Sequence, residues 1–117
     1  RVVFGRPIGQ NQAVQFPIVQ SYVAVEAAEL MVRKAAARFD AGAPCGAEAN
    51  MAKLLAADAS WSAAEACLQT YGGFGFASEY DIKRKWRETP PLRPAPVSTN
   101  MVLAFLGQNV LDMPRSY

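Results

Sequence analysis

NQAVQFPIVQSYVAVEAAELMVRKAAARFD, residues 11–40, contains no glycine and a single proline, Pro17. Apolar side chains recur at Val14, Ile18, Tyr22, Val25, Ala28 and Ala35, with Met31 and Phe39 beside them. Steps of three and four residues are the period of one helix face. Glu26, Glu29, Arg33, Lys34 and Arg38 fall largely on the other side. The stretch therefore predicts one helix, about 43 Å long at 1.5 Å per residue. Pro17 lacks a backbone donor and is expected to kink or delay the first turns. Ala41-Gly42-Ala43-Pro44 stops the helix, with glycine just past its end and proline shortly after.

Downstream, residues 47–70 predict a second long helix. Nine of the 21 residues from 46 to 66 are alanine, and such small side chains let a neighbouring helix approach closely. Met51, Leu54, Leu55, Trp61 and Leu68 supply bulk. Tyr71-Gly72-Gly73-Phe74-Gly75-Phe76 ends it, because three glycines in four positions oppose helix strongly. Residues 81–87 read as a short helix, and 89–96, with four prolines, as extended or turning chain. A last helix is predicted over 98–112, with Ser98 or Thr99 as its cap. No period-two alternation runs longer than a few residues. The class is all-α: an up-and-down antiparallel bundle of three long helices and a short one, one domain over residues 1–117.

Composition removes many chemistries. Histidine is absent among the 117 residues, so serine–histidine triads, histidine bases and most catalytic zinc sites are excluded. Cys45 and Cys67 alone cannot complete a four-thiolate metal site, nor do two cysteines suggest a disulfide scaffold; burial as small apolar residues is their default. A reducing, cytoplasmic setting is the expectation. Twelve basic against ten acidic residues give a net charge of +2, too mild to argue for nucleic acid. No run of about 18 uncharged apolar residues predicts a membrane span.

Gln69-Thr70-Tyr71-Gly72-Gly73-Phe74-Gly75 is the most informative local feature. Glycines let backbone amides approach a phosphate or ring closely; the plainer reading is a helix stop. No strand precedes this run and no Gly-Lys-Ser/Thr follows, so it is neither a Rossmann nor a Walker motif. Lys83 to Arg87, with Trp86 inside, suggests an RNA or phosphate surface, although such a run is more often a solvated helix face. Arg1 and Arg6, around Phe4-Gly5, are candidates for an anion.

Taken in order, Arg1-x-x-Phe4-Gly5, Gln12, the long helix, Gln69-x-x-Gly72-Gly73-x-Gly75-Phe76, Glu79-Tyr80 and Arg87-Glu88 resemble the C-terminal helical domain of the acyl-CoA dehydrogenase family. The resemblance covers essentially the whole chain, and the closing 95–101 and 111–117 look like one bacterial branch. It implies a protein of fatty-acid metabolism that oxidises an acyl-CoA thioester to its 2,3-enoyl form and passes a hydride to FAD. It also implies an oligomer, homomeric or mixed, in which this domain reaches the FAD of a neighbouring subunit. Arg1 then falls on the FAD diphosphate, for which a planar, permanently charged guanidinium is suited. Phe4 and Gln12 match positions on the adenosine side. Gln69, Gly72 and Gly73 match the loop that contacts the same FAD. Ser98 and Asn100 fall where the family usually has threonine and glutamine near the flavin of its own subunit, Asn100 with a shorter reach.

One departure is chemical. Counting from Arg87, the family's catalytic glutamate falls at Pro96, and its following glycine at Val97. Proline cannot take the proton alpha to the thioester, and a positioned base contributes about 10²–10⁴-fold. The nearest acid, Glu88, is eight residues away. Some members carry the base on an earlier helix, which would precede Arg1. The chain is accordingly expected to be an inactive excerpt of a longer enzyme, three long helices of a bundle of four. The alternative is a non-catalytic, structural member or subunit. A free-standing helical interaction module explains the composition but neither the glycine run nor the Arg1-to-Gln12 spacing; RNA binding through Lys83 to Arg87 ranks below it.

Overall fold

A computed structural model describes residues 1–115. Ser116 and Tyr117, which close the branch-like terminal run, lie outside the described residues. The fold is all-α. Two short strands, β1 (Val2–Val3) and β2 (Arg6–Pro7), form an antiparallel hairpin that no alternation announces. A 3₁₀ turn leads into α1 (Gln12–Asp40), which is followed by α2 (Gly46–Tyr71), a 3₁₀ turn at Gly72–Phe76, α3 (Ile82–Glu88) and α4 (Thr99–Asn109). The molecule measures 56 × 28 × 25 Å, its long axis matching the length of α1 plus the hairpin. No helix among the described residues is long and apolar enough to cross a membrane.

α1 and α2 are antiparallel, joined by a turn in which Gly42 takes φ 66° and Gly42 N–H and Ala43 N–H donate to the Phe39 and Arg38 carbonyls. The packed edge of α1 is Val14, Ser21, Ala24, Ala28, Met31, Ala35 and Arg38. After a first step of seven, the steps of three and four alternate, close to the 3.5-residue spacing of a coiled-coil seam. On α2 the facing residues are small as well: Ala59 and Ala63 share a groove with Ala28, and Ala66 shares one with Ser21. This corrects the apolar face expected for α1. Ile18, Tyr22, Val25 and Phe39 are exposed by 43%, 63%, 43% and 73%, because the seam of small side chains draws the helices together beside them and leaves the bulkier residues outside.

Pro17 lies inside α1 without ending it. Its own carbonyl accepts from Ser21 Oγ at 2.8 Å. Lys34 and Arg38 do not point away from the partner helix as the pattern suggested. They reach the buried Glu48 in the first turn of α2, at 3.7 and 3.3 Å. That carboxylate also sits where the positive end of the α2 dipole favours it.

α3 and α4 both pack on α2. α4 runs back along the first half of α2: Lys53 Nζ donates to the Arg93 carbonyl at 2.6 Å, and Phe105 lies against Gly46. Val102, 1% exposed, is the centre of that contact. α4 ends at Asn109, three residues before the expected limit, where Leu111 N–H returns to the Leu106 carbonyl and Asp112 takes φ 51°.

Candidate functional site

The hairpin turn places two residues, Phe4 at φ 53° and Gly5 at φ 75°, in the left-handed region. Two-residue loops of this hand match the twist of the strands they join. Phe4 pays for the conformation with no contact of its own, being fully exposed. The hairpin is fastened to the start of α1: Ile8 N–H donates to the Arg1 carbonyl at 3.0 Å, Arg6 to Asn11 Oδ1 at 3.0 Å, and Gln15 Nε2 to the Gly9 carbonyl at 2.7 Å. Arg1 and Gln12 stand exposed on either side of this fastening. Arg6, the other arginine considered for an anion, is engaged by Asn11.

At the far end of α2, Gly72 has φ 58° and ψ −135°, a combination open essentially to glycine alone. Its N–H is turned back onto the Gln69 and Leu68 carbonyls. Gly72 therefore serves as the helix stop, and its amide is not directed outward. Gly75 is buried, with an added Cβ falling 2.7 Å from Leu68 Cδ1, so close packing explains it. Tyr80 closes the turn edge-on against Tyr71 and Phe74, at 5.5 and 6.0 Å between ring centres.

Gln69 is exposed but not loose. Its Nε2 donates to Glu65 Oε1 at 2.8 Å, while Trp86 Nε1 of α3 donates to Glu65 Oε2 at 2.7 Å. The bond from Gln69, and secondly that from Trp86, hold the Glu65 carboxyl below its ordinary range against a smaller opposing effect of burial. Glu65 was not among the residues singled out from sequence, although its four-residue spacing from Gln69 is the signal that would have found it.

Because α1 and α2 are antiparallel, the first turn of α1 lies beside the last turn of α2. Ala13, Val14, Pro17, Glu65, Gln69 and Thr70 line one cleft of about 600 Å³. The structure thus brings Arg1, Phe4 and Gln12 to the same pole as Gln69, Gly72 and Gly73. Ser98 and Asn100 lie elsewhere, at the start of α4. Ser98 Oγ accepts from Met101 N–H at 3.3 Å as the helix cap, and Thr99 Oγ1 donates to the Arg93 carbonyl at 3.3 Å. Arg93 in turn pairs with Asp58 at 2.7 Å and lies over the Trp61 ring at 6.0 Å. Pro96 falls in the intervening segment, and no carboxylate occurs between Glu88 and Asp112.

A second, apolar groove of about 790 Å³ opens between α1, α2 and α3, with Val25, Val32, Ala59, Ala63, Ile82 and Leu92 on its walls. Cys67 lies on this groove and is exposed, while Cys45 is half-buried; the burial expected of both fails at Cys67 because the groove is open. The basic run is partly neutralised: Arg84 pairs with Asp81 and Glu88 at 2.6 and 2.7 Å, and Lys85 with Asp81 at 3.5 Å. Trp86 is turned inward onto Trp61, with 5.6 Å between ring centres.

Residues 1–111 match the family described as acyl-CoA dehydrogenase, C-terminal domain. The chain belongs to this family. Acyl-CoA dehydrogenase FadE12 of Mycobacterium tuberculosis is 42% identical over 119 aligned positions, covering all of this chain and 31% of the relative. Among solved structures, butyryl-CoA dehydrogenase from Megasphaera elsdenii superposes with a TM-score of 0.91 at 29% identity, over 95% of this chain and 29% of that one. A structure described as the FAD complex of PigA gives 0.91 at 25% identity, over 94% and 29%. The chain spans about a third of the length of the relatives it matches.

Proposed function

We propose that residues 1–117 are a partial helical domain, the FAD-contacting and subunit-joining part of a longer flavoprotein that oxidises an acyl-CoA thioester to 2,3-enoyl-CoA. The observation that supports this reading is the placement of the Arg1 hairpin and the Gln69–Gly73 junction at one pole of a chain of this family. The residues present there fit a dinucleotide. Arg1 offers a permanent, planar cation for two phosphates. Phe4, fully exposed at the hairpin tip, offers an unpartnered ring face for the adenosine side, with Gln12 beside it. Gln69 offers an oriented amide, and Gly73 a backbone that a ligand can approach without meeting a Cβ. Ser98, whose O–H remains able to donate while its oxygen caps α4, and Asn100 serve the flavin end in the chain's own subunit. Bound FAD supplies the hydride acceptor.

The separation of the two groups of residues, one at the shared pole of α1 and α2 and the other at the start of α4, suits a domain that touches two cofactors, its own subunit's and a neighbour's, in a homomeric or mixed oligomer. The two free cysteines fit a reducing, cytoplasmic compartment. In the protein that contains this chain, R1A is expected to release FAD during gel filtration; an unchanged ratio of flavin to protein would refute the assignment.

A second reading rests on Pro96. With no titratable group there and no carboxylate from 89 to 111, this segment has nothing to take the alpha proton, so either a base comes from elsewhere in the protein or the protein is a structural, non-oxidising member. Anaerobic addition of acyl-CoA separates the two: bleaching of the flavin supports oxidation, and an unchanged flavin spectrum supports the structural role.

A further inference from the structure

We infer that Glu65 is the positioning residue for Gln69, engaging one hydrogen of its side-chain amide so that the carbonyl oxygen stays free to accept from the bound dinucleotide. The inference rests on the FAD reading above. A carboxylate accepts hydrogen bonds and cannot donate them, so Gln69 must turn its Nε2 toward Glu65, as it does at 2.8 Å. Oε1 and the second Nε2 hydrogen are then the groups left for a ligand. An amide–carboxylate pair four residues apart on an exposed helix is ordinarily a weak constraint. Here the carboxylate is itself fixed from the other side, because Trp86 Nε1 holds Oε2 at 2.7 Å and the Trp86 ring rests on Trp61. Trp61 is covered in turn by Arg93, which Asp58 anchors. Five side chains from α2, α3 and the segment before α4 thus converge on the orientation of one exposed amide.

The orientation selects ligand chemistry. The free Oε1 accepts, so its partner is a donor, a hydroxyl or an exocyclic amine of the dinucleotide. Diphosphate oxygens only accept and are left to Arg1. A carboxylate held next to Gln69 further disfavours a phosphate at that point.

The test measures FAD dissociation constants in the holoprotein for wild type, Q69A, E65A and the double variant, at low and high salt. Q69A and E65A are each expected to weaken FAD by about tenfold, the scale of one hydrogen bond made against water. The double variant should be no weaker than Q69A alone, since coupled residues are non-additive, and both losses should persist at high salt, unlike the loss in R1A. E65Q, which keeps one acceptor oxygen, should recover part of the affinity. Multiplying losses in the double variant would overturn the inference, as would wild-type affinity in E65A or in Q69A. Tighter binding in E65A would do the same, by showing the carboxylate to be only a negative charge near the phosphates. Retention of FAD by R1A would instead refute the underlying reading.

Discussion

Gly72 and Gly75 stand three residues apart and are required for different reasons. Nothing lies within 4 Å of a Cβ built on Gly72, yet its φ of 58° is strained for any other residue. At Gly75 the added Cβ would meet Leu68 Cδ1 at 2.7 Å and the Leu68 carbonyl oxygen at 3.1 Å. G72A is expected to lose about 1–3 kcal/mol through backbone strain, and G75A a similar amount, about 1–3 kcal/mol, through overpacking. Urea melts distinguish the mechanisms: L68V should recover part of the loss in G75A and none in G72A. The glycine-rich string was legible as a junction from sequence, but three glycines in four positions look alike there. Only the left-handed turn at one and the approach of Leu68 to another separate their roles.

α3 has seven residues and could not persist alone; its internal ion pairs support it and Trp86 attaches it to α2. Asp81 is held below its ordinary range, chiefly by the hydrogen bond from Arg84, and Glu65 is lowered as described. Groups whose folded pKa lies below the unfolded one stabilise the fold above the unfolded value and lose that stabilisation as pH falls through the folded one. Acidification below about pH 4 should therefore release α3, read as a change in Trp61 and Trp86 fluorescence; E65Q should blunt the transition. The α1–α2 seam obeys a different constraint. Ala59 is 4% exposed opposite Ala28 at 5%, and A59L is expected to destabilise by about 1–3 kcal/mol, visible as a lowered Tm. At α4, S98A removes the cap on Met101 N–H and should lose about 1 kcal/mol, measured by denaturant titration. The helices themselves were legible because glycine and proline punctuate them. The face of α1 that packs was not, since apolar residues occur on several sides of it and a count of hydrophobicity favours Ile18 and Tyr22 over Ser21 and Ala24.

The whole chain exposes more apolar surface than a self-sufficient monomer of this size usually does. Phe16, Val19, Val23 and Leu30 stand out from α1 at 54%, 55%, 59% and 69% exposure, and the groove between α1, α2 and α3 is open. The isolated 117-residue polypeptide is expected to bind a hydrophobic dye and to elute above its monomer mass in size-exclusion chromatography. A well-behaved monomer with a cooperative melt would contradict this. The same surface suits the subunit-joining role, and it accounts for how α1 can be long and apolar while only a narrow strip of it is buried here.

Local order along the chain dictated the helices, their stops and the kinship of the motifs, because these depend on residue type at fixed spacing. Three-dimensional packing alone showed that the hairpin and the glycine junction share a pole, that Ser98 and Asn100 lie apart from it, and that Trp86 holds Glu65 in place beside Gln69. These depend on the antiparallel return of α2 along α1 and on Trp86 reaching across 21 positions of sequence, contacts to which hydrophobic periodicity is blind.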